Sequence, residues 1–279
     1  MKKFDVAGHA SSLLPEGMEF ELVWSDEFDG DSVDESKWDY RLCMMGKRHP
    51  AWTDKGVTVE DGCAVFRIFE ENGEVVSSQL QTGHNFMDEP VVATKFGNDH
   101  LQWPIGKLKK NKFTHSYGYY ECRCRLQSCE GWWSAFWLQS PMIGASLDPK
   151  TSGSEVDIME CFHPGEIAAH NVFTGGYGQD MQRIKIGGMD GLTDGEFHTF
   201  GLLWTPEKYV FYVDGVEDGT VTENISGIPQ FILISTESRG YRKEDHRPTA
   251  EAFAAARAGD TFLVDYVRVF DIKKQGESK

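Results

Sequence analysis

Three carboxylates, Glu155, Asp157 and Glu160, lie within six residues of a segment that reads GSEVDIMECF. In a β-strand successive side chains alternate, so Glu155 and Asp157 point the same way and the apolar residues beside them point the other. Strict alternation would place Glu160 on the apolar face, where burying an ionised glutamate is costly. A β-bulge at Ile158-Met159 would return it to the face of the other two acids. We therefore predict a bulged strand with three carboxylates on one face.

The spacing of these acids suits the cleavage of a glycosidic bond. With the bulge, Glu155 and Glu160 are four pleat positions apart, roughly 13 Å at ~3.3 Å per residue. On a curved sheet two converging glutamates can approach to the ~5 Å that a retaining glycosidase needs. The short Asp157 between them could hold the carboxylate of Glu155 through a shared proton. A solvated acidic edge strand and a calcium site are the alternatives, and the interspersed apolar residues argue against the first.

A second segment, residues 131–138 (GWWSAFWL), could bind a sugar. Alternation puts Trp133, Ala135 and Trp137 on one face of a strand. Indole faces stack on the C–H faces of sugars, while the ring N–H can bond a hydroxyl. The alternative is that these tryptophans belong to the core, as we expect for Trp24 and Trp38.

The rest of the chain predicts the elements that must position these residues. Short segments rich in β-branched and aromatic residues alternate with Gly, Asp and Asn, which is typical of an antiparallel β-sandwich. The alanine-rich residues 250–258 predict a helix that ends at Gly259. We expect an N-terminal tail over residues 1–19, a single domain over 20–272 and a C-terminal tail over 273–279.

Composition excludes several classes of function. The 279 residues carry a formal charge of −16, which disfavours nucleic acid and anionic lipid as partners. Hydrophobic residues make up 40% of the chain, too many for disorder, and no apolar stretch is long enough to span a bilayer. The first residues contain no hydrophobic segment typical of a signal peptide. Six cysteines without a CxxC pair favour reduced thiols over disulfides or a metal site.

The acidic segment EVDIME resembles the ExDxxE signature of glycoside hydrolase family 16 in its bulged form. Further segments resemble the strands of that family in the same order, namely LVWSDEFDG (22–30), YGYYECR (117–123), GWWSAFWL (131–138), FHTFGLLWTP (197–206), YVDG (212–215) and VDYVRV (264–269). The resemblance implies an all-β jelly-roll sandwich of two curved antiparallel sheets, of the concanavalin-like lectin and glucanase type, with an open substrate cleft. It also implies a retaining endo-β-glycanase with Glu155 as nucleophile, Glu160 as acid/base and Asp157 as assisting carboxylate.

The resemblance implies further roles outside the catalytic strand. Trp133 and Trp137 would form subsites beside the acids, and Trp204 would turn toward the cleft. Glu27 and Asp265 match positions that hold a structural calcium in many family members, although two ordinary surface carboxylates explain them equally well. Catalysis itself would need no cofactor. For His170 we expect a satisfied polar residue rather than a catalytic one.

The expected partner is a polysaccharide or oligosaccharide, most simply a β-1,3- or β-1,3/1,4-glucan, cleaved by a monomer. The alternatives are a neutral or lightly sulfated β-galactan as substrate, a transglycosylase, and a non-catalytic lectin-like protein that binds carbohydrate. Laminarinase-like members commonly carry a His-x-x-x-His pair after the catalytic strand, whereas here Thr174 stands where the second histidine would fall. The family is typically extracellular or attached to the cell surface, but the sequence itself leaves the compartment open.

Overall fold

Two large antiparallel sheets hold most of the strands and pack face to face. The computed structural model describes residues 1–44, 47–85, 88, 109–162, 168–238 and 259–273. The helix predicted over residues 250–258 and the C-terminal residues 274–279 lie outside this part of the chain. The expectation of an all-β sandwich is confirmed.

The strands and the short helix run in this order: β1 (Lys2–Phe4), β2 (Ser12–Leu14), β3 (Phe20–Asp26), β4 (Asp39–Tyr40), β5 (Cys43–Met44), β6 (Lys47–Arg48), β7 (Val57–Glu60), β8 (Cys63–Phe66), β9 (Phe69–Glu71), β10 (Glu74–Val76), β11 (Gln79–Gln81), β12 (Gly118–Arg125), β13 (Trp132–Gln139), α1 (Pro149–Ser152), β14 (Glu155–Cys161), β15 (Ala168–Thr174), β16 (Gln182–Met189), β17 (His198–Trp204), β18 (Tyr209–Val213), β19 (Val216–Val221), β20 (Phe231–Ser238) and β21 (Phe262–Ile272). The seven-stranded sheet has the order β16-β15-β14-β13-β20-β11-β4. The eight-stranded sheet has the order β19-β18-β17-β12-β21-β8-β7, with β3 also pairing β21.

The core between the sheets follows from alternation along the strands. On β13, Trp132, Phe136 and Leu138 are buried in the main hydrophobic cluster. Phe200 and Leu202 of β17 pack into the same cluster from the opposite sheet. The intervening side chains of β13 therefore face away from the core, on the outer face of the seven-stranded sheet.

The first nineteen residues are not an unattached tail. β1 and β2 form an antiparallel hairpin, and Leu14 is only 2% exposed. Leu14 packs in a cluster with Tyr119 and Phe270 of the eight-stranded sheet. The main-chain N–H of Leu13 also donates to the buried carboxyl of Glu121 at 2.8 Å. Apolar burial and this hydrogen bond attach the hairpin to the outer surface of the domain.

A tight turn leads into β14, the acidic strand, which carries Glu155, Asp157 and Glu160. The short helix α1 begins at Pro149 and is capped by the side chain of Asp148, which accepts from the N–H of Lys150. Gly153 follows with φ of 74°, and a Cβ there would lie 2.4 Å from the Cβ of Ser140. Only glycine fits this close approach, so the turn before β14 requires a glycine at position 153. The part of the chain that the structure describes contains no helix with the length and hydropathy of a membrane span.

Candidate active site

The predicted bulge lies at Ile158-Met159. Against β13, Phe136 pairs with Met159 and Trp137 with Asp157, which leaves Ile158 as the extra residue. The pairing with β15 shifts register between Asp157 and Glu160 as well. Ile158 and Met159 are fully buried in the core, while the three acids line a cavity on the other face. The bulge prediction is confirmed.

Glu160 is the buried one of the two glutamates, with 7% of its surface exposed. The indole N–H of Trp133 donates to its Oε1 at 3.1 Å, and the amide of Asn171 donates to its Oε2. Burial raises the pKa of Glu160 to about 6, and the charge of Glu155 adds to the rise, while hydrogen bonds from Asp157 and Trp133 oppose it. A carboxyl with this pKa can carry a proton at near-neutral pH and release it to a leaving group.

Asp157 sits between the two glutamates and is 4% exposed. Burial raises its pKa well above the usual range, and the charges of Glu160 and Glu155 raise it further. Asp157 therefore keeps its proton and donates it in a hydrogen bond to Glu160. A proton shared between Asp157 and Glu155 was expected from the sequence, whereas the hydrogen bond of Asp157 runs to Glu160. The bulge carries Glu160 into contact with Asp157, and other groups bind Glu155.

The Oε2 atom of Glu155 accepts two hydrogen bonds from neutral groups. The hydroxyl of Tyr177 donates to it, and Nε2 of Gln139 donates to it at 3.0 Å. The Oε1 atom of Gln139 accepts from Asn85 at 2.5 Å and from Arg41 at 3.3 Å, so its amide has a fixed orientation. These donors stabilise an ionised carboxylate, the form that a nucleophile requires.

Neither of these two partners of Glu155 was predicted from the sequence. Gln139 continues the alternation of Trp133, Ala135 and Trp137 along β13, so its face could have been read from the sequence. Tyr177 lies in a loop after β15, and Arg41 lies between β4 and β5. Nothing in the local pattern indicates that Tyr177 contacts Glu155 or that Arg41 contacts Gln139.

The three acids open into a cavity of about 400 Å³ on the outer face of the seven-stranded sheet. Its lining comprises Arg41, Met44, Trp52, Gln79, Trp133, Ala135, Trp137, Gln139, Glu155, Asp157, Glu160, Phe173, Tyr177, Met181, Ser235 and Glu237. A cavity of this size, lined by indole, amide and carboxyl groups, suits a carbohydrate. The indole rings can contact the apolar C–H faces of a sugar, and the amide and carboxyl groups can bond its hydroxyls.

Both tryptophans predicted on β13 line this cavity, but their N–H groups are already used. The ring of Trp133 stacks on Phe162 with centroids 5.1 Å apart, and its N–H donates to Glu160. The N–H of Trp137 donates to the hydroxyl of Ser235 at 3.1 Å, and the guanidinium of Arg41 lies 5.5 Å from its ring centroid. Trp133 and Trp137 can therefore contact a sugar through their ring faces but not through their indole N–H groups.

Trp204 does not reach the cavity, which corrects the expectation that it faces the cleft. It is 0% exposed and lies in the core between the sheets, where it packs with Tyr117, Tyr120 and Tyr209. The cause is its position on β17, a strand of the eight-stranded sheet whose inward face packs on the other sheet. Trp204 is a core residue in this chain.

Glu27 and Asp265 do not form a calcium site together. Both oxygens of Glu27 accept from Arg268, at 2.9 and 2.7 Å, and Asp265 pairs with Arg123 at 2.5 Å. An arginine on each carboxylate supplies the positive charge that a calcium ion would bring and takes up the oxygens that would bind it. No cluster of metal-binding side chains occurs among the residues that the structure describes. The residues present do not fit this metal.

Comparison with known proteins assigns the chain to a family. The family model described as Beta-porphyranase A-D, GH16 domain, matches residues 21–272. Because this match covers most of the chain, the protein belongs to glycoside hydrolase family 16. The resemblance found in the sequence is confirmed.

Two curated relatives and two solved structures illustrate the likeness. The chain is 26% identical over 272 residues to glucan endo-1,3-beta-glucosidase A1 of Niallia circulans, and 29% identical over 201 residues to a beta-glucanase of Rhodothermus marinus. The alignments cover 89% and 70% of this chain but only 37% and 63% of those relatives.

The structures are a laminarinase from Rhodothermus marinus (TM-score 0.64, 22% identity) and the catalytic domain of an endo-1,3-beta-glucanase from Thermotoga petrophila RKU-1 (TM-score 0.63, 21% identity). Each match covers 92% of this chain and 100% of the other. At this level of identity they show a shared fold, and the jelly-roll expectation is confirmed.

Proposed function

We propose that the protein is a retaining endo-β-glycanase that hydrolyses internal bonds of a β-1,3- or β-1,3/1,4-glucan. The observation that carries the proposal is the contrast between two glutamates on one face of a bulged strand. Glu160 is buried with a pKa of about 6, whereas Glu155 accepts from two neutral donors. Two carboxyls in such different environments suit an acid and a nucleophile.

In the proposed reaction Glu160 donates its proton to the glycosidic oxygen while the carboxylate of Glu155 attacks the anomeric carbon. This step forms a covalent glycosyl-enzyme and releases the shortened polymer. Glu160, now ionised, takes a proton from a water molecule, whose oxygen then attacks the same carbon and frees Glu155. Asp157 keeps its proton throughout and steadies Glu160. The carboxyl groups supply all of this chemistry, so the mechanism requires no cofactor.

The glucan assignment is supported by the names of the curated relatives, which are glucanases. A neutral or lightly sulfated β-galactan is the second candidate, because the matching family model is described as a β-porphyranase. Arg41 is the lining residue that could bind a sulfate group, and its guanidinium lies 5.7 and 5.5 Å from the ring centroids of Trp52 and Trp137. Asp88 pairs with Arg41 at 2.8 Å, so little net positive charge is left for a sulfate group.

The proposal is tested by incubating the protein with laminarin, lichenan, xyloglucan, agarose and porphyran and sizing the products. Internal cleavage of laminarin or lichenan supports the glucan assignment, and cleavage confined to agarose or porphyran supports the galactan. Products longer than the substrate would indicate a transglycosylase. Binding without any product would indicate a lectin-like protein. Proton NMR of the first product should show the β-anomer, and early formation of the α-anomer would contradict the retaining mechanism.

A further inference from the structure

A buried imidazole lies directly behind the bulge of the acidic strand. His170 of β15 points between the sheets, is 0% exposed, and stacks on Phe211 of the opposite sheet with ring centroids 4.7 Å apart. Its Nδ1 lies 2.5 Å from the main-chain oxygen of Ile158, the extra residue of the bulge. A bulge takes main-chain groups out of the regular ladder, and a buried carbonyl needs a partner. His170 supplies that partner.

The other ring nitrogen reaches a second irregularity on the far side of β15. Nε2 of His170 lies 3.1 Å from Oδ2 of Asp218, on β19 of the opposite sheet, and the same oxygen accepts from the N–H of Gly188 at 2.5 Å. The pairing of β15 with β16 shifts register here, between Ala168 and His170. A Cβ on Gly187 would lie 2.5 Å from Oδ2 of Asp218, so the carboxylate fills the space beside the shift. His170 and Asp218 thus connect two neighbouring strand irregularities.

The bond to Ile158 has a defined direction. The carbonyl of Ile158 and the carboxylate of Asp218 can both only accept, so a charged ring donates to both, and a neutral ring donates only from the nitrogen that carries its proton. In every form with a proton on Nδ1, that proton donates to the carbonyl of Ile158. Of the two glutamates, only Glu160 depends on the bulge for its position. Glu155 and Asp157 precede the bulge and pair regularly with Phe173 and Asn171 of β15, whereas Glu160 follows the bulge. Loosening the bulge would therefore move Glu160 relative to Asp157 and leave Glu155 in place.

We propose that His170 is a positioning residue for Glu160: its Nδ1–H holds the carbonyl of Ile158, which maintains the bulge and keeps Glu160 on the cleft face. This inference rests on the proposed function, in which Glu160 is the general acid. His170 itself contacts neither the substrate nor the reacting atoms, and it acts through the main chain of Ile158.

Three substitutions separate the contact of His170 with Ile158 from its contact with Asp218. His170→Asn places an amide N–H near the position of Nδ1 and retains the donor to Ile158. His170→Gln places its amide near Nε2 and retains the contact with Asp218 alone. His170→Phe keeps the ring on Phe211 but removes both bonds. Val172→Ala is the matched control, because Val172 is a buried, core-facing residue on the same strand and makes no hydrogen bond through its side chain.

The readout compares kcat/KM for laminarin with kcat/KM for 2,4-dinitrophenyl β-laminaribioside, whose leaving group departs without a proton. Misplacing the general acid lowers the first value and spares the second. We expect the ratio to fall about tenfold or more in His170→Phe and His170→Gln, and to stay within about threefold of the wild type in His170→Asn. In Val172→Ala the melting temperature should fall while the ratio is unchanged. All assays are run well below the melting temperature of each variant.

A second measurement does not depend on activity. Carbon-13 NMR of the glutamate carboxyls should show Glu160 with a pKa of about 6 in the wild type. In His170→Phe and His170→Gln its pKa should move toward the ordinary value of 4.5, because the carboxyl leaves its buried position. An unchanged pKa of Glu160 in His170→Phe, with an unchanged ratio, would overturn the inference. A wild type that cleaves no β-glycan would overturn the proposed function, and the NMR titration would still decide the role of His170.

Discussion

The two ends of the acidic strand differ in the burial and the hydrogen-bond partners of the glutamate that each one carries. Before the bulge, β14 pairs regularly with both neighbours, and the partly exposed Glu155 accepts hydrogen bonds from Tyr177 and Gln139. After the bulge, Glu160 is 7% exposed, its pKa is raised to about 6, and one of its donors is the protonated Asp157. One short strand thus places two glutamates in environments that differ in burial and in hydrogen-bond donors.

The difference shows what a single extra residue achieves. Without the bulge, Glu160 would point into the hydrophobic core, where an ionised carboxylate has no partner. With it, Glu160 lies on the cleft face but close to the sheet, where burial favours the protonated form. Register places the two acids together, and burial then distinguishes them.

The largest effect is expected at Glu155. In Glu155→Ala no carboxylate can attack the anomeric carbon, and hydrolysis should fall by about 10⁴-fold or more. Added azide should restore turnover, because the vacated space admits a small nucleophile on the same side of the sugar. Mass spectrometry and NMR should identify an α-glycosyl azide. A β-glycosyl azide, or rescue of Glu160→Ala to the same α-product, would reverse the roles of the two glutamates.

The next largest effect is expected at Glu160. Glu160→Gln cannot donate a proton, so kcat/KM on polymer should fall about 10²- to 10⁴-fold. The same constant for a dinitrophenyl glycoside should change little. In the wild type, kcat/KM on polymer should fall as the pH rises through about 6, because the acid must be protonated to act and its pKa lies there. This basic limb should be absent for the dinitrophenyl substrate. Equal losses on both substrates would contradict the assignment of Glu160 as acid.

A moderate effect is expected at Tyr177. Tyr177→Phe removes one donor to Glu155 and leaves Gln139 in place, and a hydrogen bond to a charged group is worth about 1.5–3 kcal/mol. Activity should therefore fall about 10- to 100-fold. The acidic limb of the pH–rate profile should move to higher pH, because the ionised carboxylate loses a partner. Tyr212→Phe is the control, since this tyrosine lies on the eight-stranded sheet, and its profile should match the wild type. A shift of the basic limb instead would place Tyr177 on the Glu160 side.

The sequence predicted those parts of the site that follow from strand periodicity. Alternation and the cost of burying Glu160 were sufficient to place the bulge at Ile158-Met159, and periodicity placed Trp133 and Trp137 on the cleft face. The β-sandwich followed in the same way from short apolar segments and turn residues.

Contacts between distant segments could not be predicted from the periodicity of single strands. Tyr177 approaches Glu155 from a loop, and Trp204 faces inward because of the sheet to which β17 belongs, which periodicity within one segment does not specify. The protonation of Asp157 depends on burial by the folded chain and on its distance from Glu160, neither of which spacing alone reveals. The attachment of the N-terminal hairpin depends on a contact between Leu13 and Glu121, 108 positions apart in sequence.

The smallest effect is expected at Asp157, and it tests the protonation of the acid pair. If Asp157 keeps its proton and donates to Glu160, then Asp157→Asn preserves a neutral donor of nearly the same size. Activity on polymer should fall by about tenfold or less, whereas Asp157→Ala, which removes the donor, should lose clearly more. The basic limb should stay near its wild-type position in Asp157→Asn, because the amide N–H still donates to Glu160, and should move to higher pH in Asp157→Ala, which loses the donor that lowers the pKa of Glu160. If Asp157→Asn is instead as inactive as Glu155→Ala, Asp157 acts as an ionised carboxylate. The comparison of the two ends of the strand would then have to include three catalytic acids instead of two.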